Sequence, residues 1–102
     1  MTTGLNNAQG VFPISPTAFT PDGAVDYASM DRLTEFYVGI GATGITVLGQ
    51  LGEAPKLSLR ESVAIAKGMV AKAGKLPVIV GVSSPGFASM RELTHEVMAI
   101  GA

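Results

Sequence analysis

The sequence predicts an α/β fold of three βα units in series with parallel strands. Apolar runs at 11–19, 44–48 and 77–82 are the strand candidates. Phe12, Ile45 and Val78 within them are evenly spaced, with the same interval each time (45 − 12 = 78 − 45). The stretches between them carry apolar residues at helical spacing. Strands that alternate with helices in this way run parallel, joined by right-handed crossovers.

Taken in order, the first strand candidate, 11–19, is apolar but contains Pro13 and Pro16. From Asp26 to Ile40, Met30, Leu33, Phe36, Tyr37 and Ile40 recur at spacings of three and four. Asp31, Arg32 and Glu35 lie on the other side, and Gly41 stops the helix. In the second strand candidate, Val47 and Leu48 suit burial on both faces. Gly49 and Gly52 then bracket a turn leading to Glu53, and glycines there let main-chain N–H groups face a small anion. Spacing alone is equally compatible with a tight βα turn that holds no ligand. Ser58 and Glu61 form a capping box, followed by an apolar face of Val63, Ile65, Ala66, Met69, Val70 and Ala73 that ends at Gly74. The third strand candidate gives way to Ser84 and Pro85, which read as N-cap and N1 of a helix through Met90, Leu93, Val97 and Ile100.

Composition narrows the function classes. Charged residues are 15% of the chain and apolar ones 47%, against roughly 25% charged in a usual soluble domain. The net charge of −1, spread along the chain, offers no electrostatic footprint for nucleic acid or an anionic membrane. No cysteine is present, which excludes disulfides, thiolate metal sites and a cysteine nucleophile. His95 is the single histidine, so no metal site is expected; no cofactor is expected either. The polar start, residues 1–9, has no signal-peptide character, and no run reaches the roughly 18 apolar residues of a membrane span. A cytoplasmic protein is expected.

A (βα)₈ barrel of about 250 residues spends roughly 31 on each unit, close to the period here. Ile40, Gly41 and Ala42 close the first helix just before a strand, and Ile100, Gly101 and Ala102 repeat that ending at the last residue. Residues 10–102 therefore read as the N-terminal three units of a TIM barrel, truncated before a fourth strand. The expected inward faces of Phe12, Ile14, Ile45, Val47, Ile79 and Val82 would then lack an opposing wall.

The residues 10–19 (GVFPISPTAF), 22–26 (DGAVD), 48–53 (LGQLGE), 57–61 (LSLRE) and 77–81 (PVIVG) resemble, in order and spacing, the N-terminal third of the dihydrodipicolinate synthase / N-acetylneuraminate lyase family. The resemblance implies a TIM-barrel class I aldolase or dehydratase that forms a Schiff base between a lysine and pyruvate or another 2-oxo acid. It also implies a homo-oligomer, as most members are tetramers. Gly49, Gln50, Leu51 and Gly52 match the segment that holds the pyruvate carboxylate in the family. Gln50 occupies the first of two hydroxyl positions, a catalytic proton-relay position, and an amide is a poor relay. Leu51 occupies the second. The anion cradle is expected to survive without the standard relay, pointing to a divergent branch with another 2-oxo acid or aldehyde partner.

The resemblance places the Schiff-base lysine and main catalytic tyrosine on later strands, beyond residue 102. Lys67, Lys72 and Lys75 fall on or just after the second helix, and Lys56 reads as a solvated loop charge. An amine becomes a nucleophile when desolvated or set beside another cation, which none of these positions supplies. The isolated chain is expected to be inactive. Tyr27 and Tyr37 read as packing residues, His95 as a surface residue, and Glu53 as a carboxylate accepting N–H bonds that shape the turn. Met30, Met69, Met90 and Met98 fit helix packing. The alternatives are a non-catalytic βα assembly fragment and an open doubly wound anion-binding sheet. Against the latter, the chain has no GxGxxG or GxxxxGK stretch.

Overall fold

The computed structural model describes residues 8–102, so most of the polar segment 1–9 lies outside the described residues. Three helices, α1 (Tyr27–Gly39), α2 (Leu59–Ala73) and α3 (Phe87–Ala99), alternate with two short strands, β1 (Ile45–Val47) and β2 (Val78–Val80). A single 3₁₀ turn, Ala54–Lys56, lies between β1 and α2. The strands are parallel, pairing Ile45 with Val78, Thr46 with Ile79 and Val47 with Val80. Ile45 and Val78, two of the three evenly spaced residues, are thus direct cross-strand partners, so the period in the sequence is a physical register.

The expected first strand is much reduced. Residues 11–15 run alongside β1, with Thr43 N donating to Val11 O (2.8 Å), Thr46 N to Pro13 O (2.9 Å) and Ser15 N to Thr46 O (2.8 Å). The outcome is one parallel bridge, Ile14 to Thr46: Pro13 has no N–H to extend the ladder backwards, and beyond it β1 ends at the left-handed Leu48. The bridge also corrects the register: its offset, 46 − 14, is one less than 45 − 12, so Phe12 is not level with Ile45.

Residues level with one another share a face of a sheet. Ile14, Thr46 and Ile79 form one row and Ile45 and Val78 the alternate one, so the six residues expected to face inward do not share a face. Ile45 and Val47 are fully buried in the core with Ile65, Ala66, Met69 and Ala73 of α2, whereas Ile14 is 54% exposed. The row through Ile14 is the open side. Consistent with that, the molecule measures 32 × 31 × 20 Å, and its short dimension matches one helix layer on one sheet layer of roughly 10 Å each.

α2 lies between α1 and α3 and packs against β2. In α1 the buried stripe is Met30, Thr34 and Tyr37; Phe36 and Ile40 are exposed, contrary to the expected apolar face. At 100° per residue Phe36 sits about 120° around the helix from Met30, outside the stripe that faces the core. Thr34 joins the core because its hydroxyl donates to Met30 O (2.8 Å), which satisfies its polar group internally. α3 begins at Phe87 with Gly86 as N-cap, not at Ser84 and Pro85. Starting earlier would put Gly86 inside the first turn, where it is the least favourable residue after proline.

α2 has the full expected capping box: Glu61 N donates to Ser58 Oγ (3.1 Å) and Ser58 N to Glu61 Oε1 (2.9 Å). Ser58→Ala leaves one of these donors unpaired and should lower stability by about 1 kcal/mol in urea unfolding. α1 is capped by Asp26, which accepts from Ser29 N (3.0 Å) and Ser29 Oγ (2.8 Å). The Ser29 N–H, and then its hydroxyl, hold the Asp26 carboxyl below the usual range. A depressed folded value adds stability above the unfolded-state pKa, and that stability is lost as pH falls through the folded value. The thermal midpoint should therefore fall on acidification below about pH 4, and less steeply in Asp26→Asn.

Candidate functional site

β1 ends at Val47, and the next residue, Leu48, is buried in the left-handed region at φ 63. A bulky side chain rarely adopts that conformation. Glu53 closes the following loop in the same region, φ 57. Between them Glu53 N donates to Gln50 O (3.0 Å) and Ala54 N to Gly49 O (3.3 Å). Among the described residues, no backbone acceptor takes the N–H of Gly49, Gln50, Leu51 or Gly52. These four consecutive N–H groups lie at the C-terminal end of a parallel strand, the face at which βα loops gather.

Two further groups converge on the loop. Thr17 is 6% exposed, and its Oγ1 has no hydrogen-bond partner among the described residues. A buried unpaired hydroxyl costs about 1–3 kcal/mol. Gly52 lies beside it: a Cβ there would be 3.3 Å from both Thr17 Oγ1 and Leu48 N. From the other side Gly81 continues beyond β2, its N–H donating to Val47 O (2.9 Å). A Cβ on Gly81 would fall 3.0 Å from the Leu48 carbonyl carbon, and nearer still to its oxygen. Residue-type reasoning did not single out Thr17, Leu48 or Gly81. The signals available were a threonine within 10–19 and a glycine closing 77–81.

The structure brings Gly49, Gln50, Leu51 and Gly52 together at one strand end. Gln50 and Leu51 are exposed at the tip and Gly52 is buried. Glu53 differs from expectation: its side chain makes no cap hydrogen bond and instead pairs with Lys56 Nζ (2.7 Å). The loop is shaped by its left-handed backbone, not by its carboxylate. Glu53 also holds the Lys56 ammonium above its usual pKa, first by the hydrogen bond and then by charge. Lys67, Lys72 and Lys75 are exposed, with Lys72 reaching Glu35 (3.3 Å). His95 and Tyr27 are exposed, and Tyr37 is in the core. A separate cleft of about 250 Å³ between α2 and α3 meets this region at Gly81 but is not lined by residues 49–52.

The fold and the loop together define a parallel α/β protein with an open strand end at residues 49–52. The profile of the dihydrodipicolinate synthetase family matches residues 7–102, and the chain belongs to that family. The 4-hydroxy-tetrahydrodipicolinate synthase of Sorangium cellulosum is 38% identical over 95 residues, covering 91% of this chain and 32% of that protein. The crystal structure of dihydrodipicolinate synthase from Rhodopseudomonas palustris superposes with a TM-score of 0.89 at 53% identity, covering 93% of this chain and 32% of the other. The chloride-inhibited dihydrodipicolinate synthase of Acinetobacter baumannii, crystallised with pyruvate, superposes at 0.86 with 30% identity, covering 92% and 33%. The chain thus spans about a third of the length of these relatives. No helix among the described residues is long and apolar enough to cross a membrane.

Proposed function

We propose that this chain is the carboxylate-binding portion of a Schiff-base-forming lyase acting on pyruvate or another 2-oxo acid. One observation carries the reading: among the described residues, the N–H groups of Gly49 to Gly52 have no backbone acceptor at the C-terminal end of β1. A carboxylate there would accept several charge-assisted hydrogen bonds, each stronger than a neutral one. The relative that was crystallised with pyruvate supports the ligand class. On this reading the βα units are three of the eight in a TIM barrel, the whole protein is a homo-oligomer, and the Schiff-base lysine is supplied from outside these residues.

Within the site the chain's own groups do limited work. The loop N–H groups bind and orient the carboxylate, fixing where the 2-oxo carbon lies. Gln50 hydrogen-bonds but does not relay a proton, because an amide neither gains nor loses one near neutral pH. Leu51 removes a hydroxyl contact and leaves its backbone N–H. Both favour a partner other than that of the synthases. A non-catalytic assembly role is the second reading, favoured by the exposed Phe36, Ile40, Phe87 and Met98.

Calorimetric titration of the chain with pyruvate and with methyl pyruvate separates them. Carboxylate recognition predicts saturable binding of pyruvate and none of the ester. Equal responses to the two, or no response to either, would contradict it.

A further inference from the structure

The ladder between β1 and β2 breaks at a defined step. Ile45 N donates to Pro77 O (3.0 Å) and Gly81 N to Val47 O (2.9 Å). The next bond of a parallel ladder would run from Gly49 N to Gly81 O, and it is not formed. The break falls at Leu48: its backbone is left-handed, φ 63, and rotates the following peptide out of ladder geometry while leaving it packed against Gly81, with Gly49 N 3.4 Å from the Cβ position there. The Leu48 carbonyl then occupies the space where a side chain on residue 81 would begin, 3.0 Å from carbonyl carbon to the Cβ position. That arrangement is possible only when residue 81 is glycine, although the φ of Gly81 is not in the left-handed region. The requirement is spatial, not conformational.

We infer that Gly81 is a positioning residue for the anion cradle: its missing side chain admits the Leu48 carbonyl, and the turn at Leu48 withdraws the Gly49 N–H from the ladder so that it faces a ligand. Gly81 acts through Leu48 and touches no ligand itself. As to what is bound, the inference rests on the 2-oxo acid reading; its conformational part stands apart from it.

Amide hydrogen exchange and pyruvate titration of the full chain, followed by ¹⁵N-resolved NMR, test both parts. In the unmodified chain the Gly81 amide should be protected and the Gly49 amide should exchange near its intrinsic rate; a protected Gly49 would mean that the ladder continues, and would overturn the inference. Gly81→Ala should shift the amides of residues 48–52 and weaken pyruvate binding by about tenfold or more, the loss of one charge-assisted hydrogen bond. Gly68→Ala, whose Cβ meets nothing nearer than Asp31 Oδ1 at 3.9 Å, should bind as the unmodified chain does. A merely structural glycine would behave differently: Gly81→Ala would lower the urea midpoint while the folded fraction kept its loop amide shifts and its affinity. A folded Gly81→Ala with unaltered loop amides and affinity would overturn the proposal. If the unmodified chain binds no pyruvate, the 2-oxo acid reading fails, while the exchange pattern still decides the role of Gly81.

Discussion

Gly44→Ala is expected to remove up to about half of the stability of the fold at 25 °C. Gly44 is buried where three pieces of chain meet, and a Cβ there would enter the Phe12 ring and lie 2.8 Å from Pro77 O. The backbone cannot back away, because Thr43 N is bonded to Val11 O (2.8 Å) and Ile45 N to Pro77 O (3.0 Å). Overpacking of this kind costs about 1–3 kcal/mol, out of a total near 5 kcal/mol for a small domain. Urea unfolding should show the midpoint displaced by roughly half. Gly68→Ala, on α2 with open space around it, should raise stability by about 0.5–1 kcal/mol. Equal midpoints for the two variants would mean that Phe12 does not pack over β1 as described.

Borohydride reduction in the presence of pyruvate is expected to leave the mass of the chain unchanged. A Schiff base needs an unprotonated amine in an enclosed site, and Lys56, Lys67, Lys72 and Lys75 are all exposed. Lys56, next to the loop, is the worst placed electrostatically, since Glu53 raises its pKa and keeps it an ammonium ion. Mass spectrometry showing a stable pyruvyl adduct on any of the four would sink this account of the lysines.

The helices are legible in the sequence because their signals are local. Ser58 and Glu61 state where α2 begins, and apolar spacing states which side of it is buried. The order and direction of β1 and β2 follow from a period that the cross-strand pairs reproduce. The first strand misleads because its apolar content hides the effect of Pro13, which removes a donor that the ladder needs. The sheet face misleads for a related reason: a change of one in the offset, 46 − 14 against 45 − 12, reverses which side chains look inward. At the site, Gly49 and Gly52 mark the loop, but nothing in their identity shows that Leu48 is left-handed or that Gly81 holds its carbonyl. Those facts depend on two strands, separated in the chain by the whole of α2, lying side by side.

The central claim, that the main-chain N–H groups of residues 49–52 receive a carboxylate, is tested most directly by mapping amide shifts while pyruvate is added to the ¹⁵N-labelled chain. Saturable displacement of the Gly49, Gln50, Leu51 and Gly52 amides, with α3 unmoved, is the predicted result. Shifts confined to the cleft between α2 and α3, or none at saturating pyruvate, would contradict it.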